Sequence, residues 1–276
     1  MHEAVQMLDL ASIPSALRAQ GQQTQYTLAA RIEDASISVS QPAQQSFFDG
    51  WLLRYSPGKA KRARSINSVG AGVLPLAEKL SHCLAFYRHH RLPCLFRITP
   101  FSQPHHLDTE LAAAGFGAHQ DTRVMSVALS QIQPGAAPSA ALSVDAEQFA
   151  SVFCRLHGIT GARADAERDR YIRASERSAF VVQCDGDTPI ACGSVALEGK
   201  LAGIFGMVTA AEHRGRGIAS SIVAKLLNAA GAAGADTAYL QVEADNTAAR
   251  RAYSKFGFED CYAYWYRAPS GSGDNL

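Results

Sequence analysis

GMVTAAEHRGRGIASS, at 206–221, is the stretch on which the reading of this chain turns. It follows an apolar run, LAGIFGMVT at 201–209, that reads as a strand. Gly215 and Gly217 then alternate with Arg214 and Arg216, and a helical pattern starts at once with Ile218 and Ala219. Glycines let a backbone fold tightly and approach a ligand with no side chain in the way. The first turn of a helix leaves its amide N–H groups unpaired, at the positive end of the helix dipole. Together these features suit a polyanion such as a pyrophosphate. Arg214 and Arg216 add two cations to it. The stretch lacks both the GxxxxGK[ST] of a P-loop and the GxGxxG of a dinucleotide fold. Read alone, it also fits a basic turn in front of a surface helix.

The surrounding pattern is regular. AFVVQCD (179–185), PIACGSVALEG (189–199) and the 201–209 run, separated by Gly186-Asp187 and Gly199-Lys200, predict an antiparallel meander with tight turns. Two helices are expected before it, near 145–158 and 165–178. After the loop, Ile218, Ile222, Val223, Leu226 and Leu227 share one helical face, with Gly231 as the stop. TAYLQVEA (237–244) reads as a strand, NTAARRAYSKF as a helix capped by Asn246 and ended at Gly257, and CYAYWYRA (261–268) as a last strand.

The first half is less sharply written. A polar, helical stretch is expected up to about Ser40, then strands at 47–56 and 63–70 around a Pro57-Gly58 turn. Leu76, Leu80, Leu84 and Tyr87 predict a helix over 76–91. A strand at 94–100, a helix near 106–114 ended by Gly115, and a strand near 120–129 complete this half. Strand, helix, Gly-Phe and strand therefore recur in order, at Gly115-Phe116 and again at Gly257-Phe258, which points to tandem copies of one fold. SQIQPGAAPSAA, at 130–141, is poor in charge and rich in Pro, Gly, Ala and Ser, so it reads as a linker. The expected boundaries are a first domain at 1–130, a linker at 131–141, a second domain at 142–268 and a flexible tail at 269–276.

The order strand, R-x-x-G-x-A loop, helix, strand, N-x-x-A-x-x-x-Y-x-x-x-G-F, strand resembles the GNAT superfamily of acyl-CoA-dependent N-acyltransferases. The residues carrying it are Arg214, Gly217 and Ala219, then Asn246, Ala249, Tyr253, Gly257 and Phe258, over about 142–268. The first half, from DGWLLRYSPGKAKRARSINS (49–68) onward, resembles the N-terminal half of a bacterial subgroup of two-part GNAT proteins. The resemblance implies an α/β (α+β) fold with tandem GNAT-like domains, whose mixed, largely antiparallel sheets are flanked by helices. It also implies acetyl-CoA as co-substrate, with no metal. The loop Arg214, Gly215, Arg216, Gly217, Ile218, Ala219 would hold the coenzyme A pyrophosphate, and Met207, Val208 and Thr209 would pair with the pantetheine arm as an added strand. A backbone N–H there would polarise the thioester carbonyl. Asn246 would contact the cofactor, cap its helix, or do both. Tyr253 would protonate the departing thiolate, its alternative being a packed tyrosine whose hydroxyl sits on a carbonyl.

Glu243 and Glu198 are the carboxylates nearest to hand as a base for the amine, unless they are solvated strand-end charges or water serves instead. Aligned on the Gly-Phe pairs, Arg214 to Ala219 face GVLPLA at 72–77 and Tyr253 faces Leu111, so the first half lacks both loop and phenol. One active site per chain is the expectation. The cations of Gly58–Arg64 read either as a solvated strand and turn or as a recogniser of an acidic acceptor.

Bulk properties exclude more than they assign. The chain has 276 residues, a net charge of +1, 47% apolar and 18% charged residues, which fits a globular protein with no general pull toward nucleic acid or membrane. Six cysteines form no CxxC pair and no zinc spacing, as expected of reduced, buried thiols. MHEAVQMLDL does not read as a signal peptide, so a cytoplasmic monomer or homodimer is the expectation. The expected activity is acetyl transfer to a small-molecule amine. A non-catalytic acyl-CoA-binding module and a protein N-acetyltransferase stand as alternatives.

Overall fold

The computed structural model describes residues 28–40, 42–58, 60–132 and 141–270. Residues 133–140 of the expected linker, the opening stretch up to 27 and the tail beyond 270 lie outside the described residues.

The helices are α1 (Leu28–Val39), α2 (Leu76–His89), α3 (Leu107–Ala113), α4 (Ala146–His157), α5 (Ala162–Ala174), α6 (Ile218–Ala232) and α7 (Thr247–Ser254). The strands are β1 (Gln44–Phe48), β2 (Trp51–Tyr55), β3 (Ile66–Asn67), β4 (Phe96–Ile98), β5 (Phe116–Ala128), β6 (Leu142–Val144), β7 (Ser178–Asp185), β8 (Thr188–Glu198), β9 (Leu201–Thr209), β10 (Thr237–Glu243) and β11 (Glu259–Pro269). They form one mixed sheet of eleven strands in the order β1-β2-β3-β4-β11-β5-β10-β9-β8-β7-β6. Only β3–β4 and β9–β10 pair in parallel. Each parallel pair is joined by a crossover helix, α2 or α6, as parallel strands require.

Read from its two ends, the sheet repeats itself. An antiparallel hairpin, a parallel step, and a helix leading to a final strand occur in both halves. The final strands change places: β11 pairs with β4 of the first half, β5 pairs with β10 of the second, and β5 and β11 pair with each other at the centre. The sheet therefore runs unbroken through both halves.

Alternation along the strands sends side chains to two faces. Val181, Val195, Ile204, Leu240 and Val242 join Ile222, Val223, Leu226 and Leu227 of α6 in one core. Phe180, Val182 and Cys192 face the other way, onto Phe149 and Phe153 of α4 and Tyr171 of α5. Complete burial of each such side chain contributes about 1.5–3 kcal/mol.

Several local expectations change. The run at 47–56 is a two-residue hairpin, because Asp49 and Gly50 both take left-handed φ, 42° and 80°, between the pair Phe48 and Trp51. Of 63–70 only Ile66–Asn67 is strand, and Lys61–Arg64 forms a 3₁₀ turn. Helix α6 runs past Gly231, and Gly234, at φ 87°, is the left-handed stop. In α2 the deepest residues are Lys79, Cys83 and Tyr87 rather than the leucines. Lys79 is drawn inward by Asp49, 3.0 Å away, and by the Trp51 ring.

The two halves are also fastened by a buried polar group. Arg97 of β4 is 2% exposed, pairs with both oxygens of Glu33 on α1, and stacks on the Tyr264 ring of β11 at 3.9 Å. Tyr262 donates to the same Glu33 at 2.7 Å. Removing one partner of such a pair strands the other charge in a dry interior, at a cost of about 3–5 kcal/mol. Arg97→Met should therefore lower stability by about that much, and adding Glu33→Gln should recover part of the loss. Urea unfolding of the single and double variants measures this, and strictly additive losses would contradict the coupling.

Candidate active site

Strands β9 and β10 pair only from Leu201–Ile204 against Thr237–Leu240. Beyond that point they separate. Phe205 to Thr209 stay bound to β8, with Val208 opposite Cys192 and Thr209 opposite Ala191. Gln241 to Glu243 stay bound to β5. Each strand is thus satisfied on its outer side and open on its inner side, which leaves a forked slot with backbone donors and acceptors along its walls. The fork begins at an irregularity, where the register shifts between Cys192 and Ser194 as β9 passes Phe205 to Val208. Gly206 permits it: its φ is +61°, and a Cβ there would press on the Phe149 ring and the Tyr171 hydroxyl at 3.0 Å.

The wall of the fork leads through Met207, Val208 and Thr209 into the basic loop. Arg214 donates through Nε to the Thr209 carbonyl at 3.2 Å, and Arg216 donates to the Glu212 carbonyl at 3.1 Å. These bonds brace the loop, while Gly215 and Gly217 take left-handed φ of 76° and 78°. Gly217 is the residue before α6, no side chain caps that helix, and no atom lies within 4 Å of where a Cβ would stand. The start of α6, at Ile218 and Ala219, therefore presents an open helix end.

The equivalent place in the first half is closed. Asp49 accepts from the backbone N–H groups of Val73 and Leu74 at 2.9 and 3.0 Å, just before α2. Those N–H bonds, with Lys79 beside them, hold the Asp49 carboxyl below its ordinary pKa. An internal carboxylate sits where α6 offers space.

Tyr253 of α7, Met207 and Ile218 all pack against the core that α6 covers. The Tyr253 ring meets Phe258 edge-on at 6.1 Å. Its hydroxyl has no hydrogen-bond partner among the described residues, so it is not held on a carbonyl. Burial pushes the phenol above its ordinary 10, so it stays protonated at neutral pH. Asn246 caps α7, accepting from the Ala249 N–H at 3.1 Å.

The two carboxylates part company. Glu198 lies at the turn end of β8, bonded to Arg177 at 2.6 Å, at the closed end of the fork. Glu243 lies at the open end, is exposed, and accepts from Gln120 at 2.6 Å. It lines a cavity of about 1260 Å³ between the halves. A smaller cavity of about 180 Å³ reaches Phe205 and Gly206 at the start of the fork. Arg62 lines both, donates to Gln241 at 2.8 Å, and lies over the Phe205 ring. Lys61, Arg62 and Arg64 are therefore turned toward a cavity rather than standing on a solvated strand and turn, and Arg64 is buried. Their composition was visible in sequence, but the fold that turns them inward was not. Trp51 is core, and Trp265 is partly buried with its N–H on Asp108 at 2.8 Å. Among the described residues the six cysteines are free, no cluster suits a metal ion, and no helix is long and apolar enough to cross a membrane.

A forked parallel pair that opens beside an uncapped, glycine-entered helix is the arrangement of the acetyltransferase (GNAT) family, and residues 147–258 match that family. An uncharacterized N-acetyltransferase of Bacillus subtilis (strain 168), YobR, is 28% identical over 236 residues, which cover 83% of this chain and 94% of that one. A GCN5-related N-acetyltransferase from Kribbella flavida shares the fold with a TM-score of 0.68 at 16% identity, over 89% of this chain and 97% of its own. A tandem GNAT protein from the clavulanic acid biosynthesis pathway does so at 0.52 and 15%, over 69% and 68%. The family match thus lies within the second half of the chain, and the fold as a whole is one that GNAT proteins share.

The Tyr253 phenol gives a direct check on the burial described. Ultraviolet difference absorbance between the parent chain and Tyr253→Phe should place its ionisation above pH 10. Ionisation at or below that value would contradict it.

Proposed function

We propose that the chain moves an acetyl group from acetyl-CoA to the primary amine of a small molecule, by direct attack in a ternary complex. The observation that carries this is the β9–β10 fork, whose β9 wall leads into the loop before the open start of α6, with Tyr253 packed against the same core. The Arg214–Ala219 loop holds the pyrophosphate of coenzyme A. The pantetheine arm lies along Met207, Val208 and Thr209, and Asn246 borders it from the start of α7. A backbone N–H on this open edge takes up charge from the thioester carbonyl.

The amine nitrogen attacks that carbonyl carbon, the carbon–sulfur bond breaks, and Tyr253 delivers its proton to the leaving thiolate. Between isolated groups, a phenol at ~10 against a thiol at ~8.5, this transfer is uphill and burial of Tyr253 adds to that, so it is coupled to loss of the amine's proton. The proton shed by the amine leaves by way of Glu243 at the open end of the fork. The cavity between the halves favours a small acceptor over a protein surface, because residues of both halves line it. The chain has one such site. We also propose a tandem origin for it, on the ground that both ends of the sheet repeat one order of elements. The first copy, at 1–130, is degenerate, with Asp49 occupying the turn just ahead of its crossover helix. The linker at 131–141 separates it from the catalytic copy at 142–268.

Two measurements test this. Gly217→Asp and Gly217→Asn impose similar backbone strain at a left-handed position and differ by one charge. The Asp variant should lose acetyl-CoA affinity at least tenfold more than the Asn variant, about 1.4 kcal/mol or more by calorimetry. Equal losses would remove the pyrophosphate from this loop. Tyr253→Phe should lower kcat by about 10²–10⁴-fold in a thiol-release assay across an amine panel, with acetyl-CoA binding retained. Unchanged turnover would end the acid role.

A further inference from the structure

The large cavity between the halves is strongly cationic, and nothing in the donor site accounts for that. Six arginine and lysine side chains line it, among them Lys61, Arg62, Arg64 and Arg163, against the single carboxylate Glu243. No residue of the 206–221 donor stretch lines it, so these cations do not belong to the pyrophosphate cradle.

Arg64 is the sharpest case. It is 8% exposed, its Nε has no partner, and it enters no ion pair among the described residues. The other buried cations are each satisfied: Arg97 has Glu33, Arg170 has Glu167, Lys79 has Asp49, and Arg54 donates to the carbonyls of Ile37, Ser40 and Arg62, whereas no side-chain hydrogen bond of Arg64 is formed among the described residues. A guanidinium taken out of water with neither an opposing charge nor carbonyl acceptors is costly, and an anion that comes to it removes that cost. Its like-charged neighbour sharpens the point. Burial first, and then Arg163, weaken the hold of Arg64 on its proton. Arg163, at the start of α5, is exposed and has no carboxylate within ion-pair distance among the described residues. Two facing cations with no carboxylate between them leave room for a bound anion.

We propose that this cavity binds the anionic end of the acceptor, so that the substrate is a primary amine that also carries a carboxylate or phosphate group. Arg64 and Arg163 take the anion, with Lys61 and Arg62 around it. Arg62 also lines the small cavity at Phe205 and Gly206, so an amine reaching past it arrives at the fork. The amine half of this statement rests on the acetyltransferase function above, and the anion site does not.

The two parts are tested separately. With coenzyme A present to occupy the α6 end, inorganic phosphate and succinate should raise the melting temperature of the full chain in a saturable way. That shift should be lost in Arg163→Glu, an exposed position that tolerates change, and in Arg64→Met, with folding checked by circular dichroism. Equal shifts in the parent and in folded Arg163→Glu would overturn the site. In thiol-release assays, glutamate and phosphoethanolamine should be preferred to ethanolamine and putrescine, and their relative kcat/KM values show whether carboxylate or phosphate is the natural group. Arg163→Glu should cut the preference for the anionic amine roughly 10- to 100-fold, the scale of one charge-assisted contact. Better turnover of putrescine than of either anionic amine, unaltered in Arg163→Glu, would overturn the substrate class. An anion shift without acetylation of any amine would keep the site and remove the acetyl-transfer mechanism.

Discussion

The exchange of final strands is the constraint on which the rest of the molecule depends. Strand β5 leaves the first half and pairs with β10 over seven positions, while β11 leaves the second half and pairs with β4 and β5. Neither half completes its sheet from its own chain segment. Once β5 lies against β10, the inner edge of β10 has only β9 to bind, and β9 turns away at Gly206. The fork is therefore a product of the exchange as much as of the second half. The buried group Glu33, Arg97, Tyr262 and Tyr264 then ties α1 to strands of both halves, and Gln241 extends it to the fork through its bond with Tyr264.

The two helix entrances show how one scaffold reaches opposite ends. Both α2 and α6 follow a parallel-step strand. In the turn just ahead of α2 the chain supplies its own anion, Asp49, held by the N–H groups of Val73 and Leu74 and by Lys79. At α6 it supplies none, and two arginines bond to carbonyls of their own loop with their remaining donors left over. An internal carboxylate makes a closed turn ahead of α2, and no counterpart stands ahead of α6. The difference lies in Asp49, which comes from the β1–β2 hairpin rather than from the turn that it closes.

What could be read from the sequence follows from how local each signal is. The second-half elements stand within a few residues of expectation, because the meander turns, the glycine loop and the Asn246 cap are each written in neighbouring residues. The first half was harder. FFDGWLLRYS looks like one apolar strand, yet its Asp-Gly pair is a hairpin turn hidden in an apolar setting. The strand exchange pairs residues more than a hundred positions apart, and no periodicity records that. Among candidate site residues, Arg214 to Ala219 and Asn246 could be placed from motif spacing. The fate of Lys61 to Arg64 could not, since a cationic run looks alike whether it meets water or a cavity.

That run also explains what a half without a loop or a phenol contributes. The 3₁₀ turn at Lys61–Arg64 sits between β2 and β3, and the exchanged sheet carries it to the open end of the β9–β10 fork. There Arg62 reaches Gln241 on one arm of the fork and the Phe205 ring on the other. A lone second half would have a fork open to solvent and no cation facing it from across the slot. The first half therefore supplies a wall, and the wall carries charge. In the proposed function, donor recognition depends on backbone amides within one half, which a short motif can encode. The proposed acceptor site depends on side chains brought across from the other, which only the assembled sheet can define.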